Sequence, residues 1–185
     1  VLESTYGNKV HGIRDLQKKR EQLCDVINYA YKKGGNIIVP AFAVERTQDL
    51  LVDLNILIKN KEIPIFPIYI DSPLAISATE IFQRHHQYFH NQVSEYNKNG
   101  EFALLFDNLK FTKSAEESQE LNKISGGIMI ISASGMCDAG RIKHHLKHNL
   151  WRENATVLIT GYQAEGTLGR RLIEGEKIVR IHGDS

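Results

Sequence analysis

The sequence predicts an α/β domain, a three-layer Rossmann-like arrangement of a mostly parallel sheet with helices on both faces. Three observations carry this. Short apolar runs alternate with stretches of helical periodicity along most of the chain. The apolar runs are continuous instead of alternating with polar residues, as in strands covered on both faces. Twice near the C-terminus an apolar run opens into a Gly-rich turn and then a helix carrying Arg. No internal repeat or low-complexity linker divides the chain, so one domain is expected.

Each element has its own signal. Asp15 to Lys33 reads as a helix, with Leu16, Leu23, Val26, Ile27 and Ala30 at helical spacing and Gly34-Gly35 as its stop. Asn36 to Phe42 is a buried strand. Arg46 to Asn60 returns to helical spacing through Leu50, Leu51, Leu54 and Ile58. Pro67 to Asp71 is a strand, and Ser72-Pro73 opens a helix running to about Phe89, with a capping hydroxyl and then Pro in the first turn. The polar stretch 91–101 is a surface connection, and Phe102 to Thr112 is a strand with an irregular end. Ser114 and Glu117 stand at capping-box spacing ahead of a short charged helix to Asn122. The apolar runs Ile128 to Ser134 and Ala155 to Thr160 are strands, and Ile142 to Leu150 is a helix between them. Lys177 to His182 closes the chain as a strand. Val1-Leu-Glu-Ser reads as the end of a strand, and the start, without Met, looks like a cut through a longer protein.

Composition bounds the function. The 185 residues, 42% hydrophobic, suffice for a full core. With 23 basic against 22 acidic residues the net charge is +1, so any nucleic-acid contact must come from a local patch. No apolar stretch is long enough to span a bilayer, and no signal peptide is visible. Cys24 and Cys137 are too few for a disulfide framework and read as neutral thiols of a reducing, cytoplasmic compartment. His144 with His148, and His86 with His90, stand four apart on expected helices. Neither pair has the Glu of a His-Glu-x-x-His motif or an obvious third ligand, so both read as helix histidines, and no metal site is assigned. His182 reads as a packed strand residue.

Backbone N–H groups at Gly-rich turns, backed by guanidinium groups, are a means of holding a phosphate-bearing ligand beyond the carboxyl ends of parallel strands. The candidates are Arg46, Arg141, Arg170 and Arg171, with Ser134, Gly135, Gln163, Gly166 and Thr167 as further donors or turn residues. Singly, each Arg is equally well a helix-surface residue, and each Gly a turn with positive φ. Tyr162, in a Gly-flanked turn, is a stacking platform for a base; Tyr69 reads as core. Asp71 reads as structural, ending its strand. Lys18-Lys19-Arg20 reads as a solvated helix face beside Asp15, Glu21 and Asp25.

Five segments stand in one order: Glu3-Ser-Thr-Tyr-Gly7; Pro40-Ala-Phe-Ala-Val44 with Arg46-Thr-Gln48; Pro67-Ile-Tyr-Ile-Asp-Ser-Pro73; Ser134-Gly-Met136 with Gly140-Arg141; and Gly161 through Gly169. Together they resemble the β-CASP branch of the metallo-β-lactamase-fold RNA-processing nucleases, the branch of RNase J and the mRNA 3′-end processing nuclease, in its bacterial or archaeal form. At Glu45 the commonest family form has Gly; beside a helix N-terminus Glu is expected to be tolerated. The resemblance implies a zinc-dependent ribonuclease that hydrolyses phosphodiester bonds of single-stranded RNA with two zinc ions. The family's His-x-His-x-Asp-His motif does not occur here. Residues 1–7 then correspond to a strand of the parent metallo-β-lactamase domain, and 8–185 to the inserted β-CASP cap, ending before the later His motifs. Glu3 matches the family's acidic motif, whose carboxylate orients the His that acts as general acid. The cap itself is expected to bind no zinc and to be inactive alone. Its partners would be single-stranded RNA and the parent's metallo-β-lactamase domain, with room for a homodimer. Two other readings stay open: a non-catalytic RNA-binding scaffold, and a free-standing nucleotide-binding domain. Against the latter, neither G-x-G-x-x-G after the first strand nor a P-loop lysine is present.

Overall fold

A computed structural model describes residues 16–88 and 104–181. Glu3, the 1–7 segment, His90 and His182 lie outside the described residues. In chain order the elements are α1 (Leu16–Lys33), β1 (Ile37–Pro40), α2 (Arg46–Lys59), β2 (Ile68–Ile70), α3 (Pro73–Arg84), β3 (Leu109–Phe111), α4 (Ala115–Leu121), β4 (Met129–Ser132), α5 (Ile142–Asn149), β5 (Thr156–Val157) and α6 (Leu168–Ile173). A short 3₁₀ turn, His86–Tyr88, follows α3.

The five strands form one parallel sheet in the order β3-β2-β4-β1-β5. Side chains alternate between its faces. Ile37, Val39, Ile68, Ile70, Met129 and Ile131 point into the core shared with α1, α2 and α3. Ile38, Tyr69 and Ile130 point into the core shared with α4, α5 and α6. The three layers are therefore α1–α3, sheet, α4–α6, as the sequence predicts. Strand order runs one way through β3 and then reverses, and the helix layer changes at the same point, as right-handed crossovers require.

The capping signals are realised. Ser72 accepts from the Ala75 amide at the start of α3, and Ser114 and Glu117 make a reciprocal capping box on α4. Gly34 ends α1 with φ 72°, the left-handed region that only Gly enters without cost.

Three expectations need correction. The strand foreseen from Phe102 shrinks to β3, because the Asp107-Asn108 turn folds the Leu109 amide back onto the Phe106 carbonyl; Phe102 lies outside the described residues. No strand forms over 177–181. Ile181 makes one isolated bridge; Val179 and Ile181 pack on the α4–α6 side, while Ile178 stays 70% exposed. Apolar alternation survives there, without a neighbouring ladder to make it a strand. Lys19 and Arg20 are not merely solvated: they pair with the nearly buried Asp53 of α2 at 2.7 and 2.9 Å, tying the two helices together.

The layered core makes a direct prediction. Ile130→Ala, at a side chain buried in the centre of the sheet, is expected to cost about 2–5 kcal/mol. Ile65→Ala, at a side chain 73% exposed, should stay within about 0.5 kcal/mol. Urea unfolding midpoints check both.

Candidate nucleic-acid interface at the carboxyl edge of the sheet

Connections leave the adjacent strands β1 and β4 toward opposite layers, β1 to α2 and β4 to α5. The crevice between them is the topological switch point, where open α/β sheets gather ligands. The loops that frame it are 41–45 and 133–141, with 158–167 alongside.

The first loop is built by the Pro40–Val44 and Arg46–Gln48 motif. Thr47 donates its hydroxyl to the Phe42 carbonyl at 2.8 Å, and Gln48 donates to the Ala43 carbonyl and to Thr79 of α3. These bonds hold Phe42 outward, 46% exposed, with its ring on Gly135. A Cβ at Gly135 would meet that ring at 2.8 Å, so the contact needs glycine. The sequence hid this exposed aromatic, because it sits inside an apolar run that reads as strand.

Glu45 stands at φ 70°, ψ −63°, and the Arg46 amide bonds the Val44 carbonyl across it. This is a γ-turn of the rare, strained hand. The conformation at position 45 therefore favours Gly and strains Glu, which the helix-dipole argument for tolerance does not address. Arg46 begins α2, 3.9 Å from Asp49. It lines a cleft of about 220 Å³ with Lys19, Leu158 and Thr160. Burial there raises the Asp49 carboxyl above its ordinary range, against the pull of Lys19 and Arg46.

The Gly-rich loops after β4 and β5 are laced to each other. Gln163, buried, donates to the Gly135 carbonyl at 2.8 Å and the Gly161 carbonyl at 3.3 Å. Its other amide atom lies over Gly169, where a Cβ would sit 1.7 Å away. The Gly169 amide bonds the Met136 carbonyl. Ser134 closes its own loop on Ala139. Thr167 caps α6, and the Asp138 carboxylate accepts from the Leu168 amide at 2.9 Å. Asp138 therefore already occupies the positive end of α6. Gly166, exposed, has φ 82° and open space around it, so the turn conformation is what favours glycine there. Cys137 is buried; burial and then Asp138 push its thiol up to about 12, so it is no nucleophile at neutral pH.

The arginines divide. Arg170 pairs with Glu174 at 2.6 Å, and Arg171 pairs with Glu176 through two nitrogens. Arg141 turns inward. It bonds Asp71 Oδ1 at 2.7 Å and the carbonyls of Thr112 and Lys113. Tyr162 is half-exposed in its turn. The structure thus groups Ser134, Gly135 and Gln163 at the crevice with Phe42. Arg46 lies beside it on the α1–α3 layer, and Arg141 is committed elsewhere.

That commitment is to Asp71, the carboxylate read from the chain as structural. Asp71 has no exposed surface. Its Oδ2 receives the Ser118 hydroxyl and faces His145 Nε2, both at 2.5 Å. Burial raises its carboxyl, but the bonds from His145, Ser118 and Arg141 outweigh this and hold it below the usual range. The buried histidine is His145; of the expected pair, His144 and His148 are both exposed. The signal was spacing, since His145 shares a face with Ile142, Leu146 and Asn149.

Two outcomes follow. Because the Asp71 carboxyl is depressed in the fold, its stabilisation is complete above the unfolded carboxyl range near about pH 4 and fades as pH falls through the folded value. Asp71→Ala should cost about 3–5 kcal/mol at neutral pH and flatten that acid limb, measured by urea unfolding across pH. Glu45→Gly should instead raise stability by about 1 kcal/mol, because it relieves a positive φ; a lowered unfolding midpoint would refute the strain reading.

Known proteins agree with this architecture. The family model described as Beta-Casp domain matches residues 47–172. Ribonuclease TTHA0252 of Thermus thermophilus is 32% identical over 184 residues, covering 100% of this chain and 42% of that protein. An RNase J-like protein of Methanocaldococcus jannaschii is 34% identical over 183 residues, covering 97% of this chain and 41% of its own length. Transcription termination factor FttA of Methanosarcina mazei is 30% identical over 184 residues, 99% of this chain and 29% of that protein. The chain spans less than half the length of these relatives. Its fold, its ordered motifs and the family match together make it a member of the Beta-Casp domain family.

Proposed function

We propose that this chain is the RNA-binding cap of a zinc-dependent, metallo-β-lactamase-fold ribonuclease that hydrolyses phosphodiester bonds of single-stranded RNA. The observation that carries the reading is the carboxyl-edge crevice, framed by the family's own segments, in a chain whose relatives include proteins named ribonucleases. Phosphates would meet Arg46 and the loop donors around Ser134, and bases would stack on Phe42 and Tyr162.

Zinc does not fit the donors described here. Among the described residues, no group of three or more His, Cys, Asp or Glu side chains converges to hold a metal ion. The two zinc ions of the proposal would be held by the metallo-β-lactamase portion of the natural protein. Glu3 would support the general acid from the boundary between the two parts. Among the described residues, no helix is long and apolar enough to cross a membrane.

The test is RNA affinity of the natural full-length protein as a function of salt. Arg46→Ala should weaken single-stranded RNA by a similar factor for every sequence and reduce the magnitude of the log–log salt slope by about 0.7. Phe42→Ala should lower affinity by about 1–3 kcal/mol with little change in that slope. Unchanged affinity in both variants would remove RNA from this edge.

A further inference from the structure

The α4–α6 layer carries a charged surface that the carboxyl-edge site does not use. From Arg141 through Arg152 the chain has no acidic residue, in a molecule whose basic and acidic residues nearly cancel. Ile142, His145, Leu146 and Asn149 face inward on α5. Lys143 is half-buried, and His144, Lys147 and His148 face out. Just past the helix, Trp151 is 73% exposed, with the Arg152 guanidinium 5.2 Å from its ring centre. A cleft of about 580 Å³ runs between α5 and α4, bordered by Gln119, Lys123, His144 and His148. None of the described residues lining it is a carboxylate. Of the three acids on α4, Glu117 is held in the capping box, Glu120 pairs with Lys123 at 2.5 Å, and Glu116 is exposed and feels the charge of Arg141. Burial, and then the charges of Lys147 and Arg152, hold His148 below the ordinary imidazole range, as expected in a positive field.

We propose that the outward face of α5 is a second contact strip for single-stranded RNA, gripping backbone phosphates through Lys143, Lys147 and the cleft and stacking a base on Trp151. The strip is built for this. α5 starts at the carboxyl edge, beside the crevice, and runs back along the sheet. Lys143 and Lys147 stand about 6 Å apart along the helix axis, and Trp151 and Arg152 follow just past its end. A cation recurs on the outer face at each turn, and the aromatic lies at the far end. Charge fixes the class of partner: clustered cations beside an exposed indole fit a flexible polyanion with stackable faces. The strip would hold RNA that extends beyond the carboxyl edge, so it rests on the ribonuclease-cap reading.

The experiment uses the natural full-length protein and two fluorescent oligoribonucleotides, one confined to the carboxyl-edge crevice and one long enough to continue past it. Lys143→Ala/Lys147→Ala is expected to weaken the long oligonucleotide roughly tenfold and reduce the magnitude of its salt slope by about 1.4. The short oligonucleotide and its cleavage should be unchanged. Trp151→Ala should weaken the long oligonucleotide with the slope unchanged, and Lys143→Arg/Lys147→Arg should keep wild-type binding. Equal losses on both oligonucleotides, or no loss on the long one, would overturn the strip while leaving the cap reading intact. A wild-type protein that binds neither would overturn both.

Discussion

One buried carboxylate sets the geometry of the upper half of this molecule. Asp71 follows β2 directly and has no solvent contact, and an ionised group there is tolerable only with full compensation. That compensation arrives from three other places: Ser118 on α4, Arg141 at the start of α5 and His145 inside α5. Arg141 also spans to the carbonyls after β3. The ends of β2 and β3 and two helices are therefore tied to a single point. The 133–141 loop is strung between β4 and that anchor, so the crevice wall inherits its position from an ion pair that lies behind it.

The crevice is arranged by glycine at close contacts and by positive-φ backbone at two non-glycine residues, Glu45 and Cys137. Gly135 admits the Phe42 ring, Gly169 admits Gln163, and a Cβ at Gly140 would strike the Ala133 carbonyl at 2.4 Å. Packing by itself requires glycine at these three positions. Glu45 holds a backbone shape that a side chain resists, immediately before Arg46. Strain of this kind persists only where the surroundings enforce it; here the Thr47 and Gln48 bonds to the 42–43 carbonyls do so.

Arginine in a motif carries two meanings. Arg141 is an internal strut, Arg170 and Arg171 pair with acids close by in sequence, and Arg46 fronts a cleft. All four follow strand-and-turn signals in the sequence, so the residue type alone could not divide them. The partner decides, and the partners of Arg141 lie 28 to 70 positions away in sequence.

The class of fold, the caps of α3 and α4 and most of the strand order along the chain are legible in the residues alone. Periodicity, Ser-Pro and Ser-x-x-Glu signals, and terminal glycines are local, and they act within a few residues. The sequence also carried the family, because five ordered segments survive in a linear string. The three-dimensional packing settled the rest. It placed β4 between β2 and β1, withheld a ladder from 177–181, put His145 inside while His144 and His148 face out, and drew Asp71 and Arg141 together. It also gathered the cations of α5 beside a cleft free of carboxylates. Each of these depends on which distant groups share a low-dielectric interior or one face of a helix layer, and that is fixed only when the sheet closes.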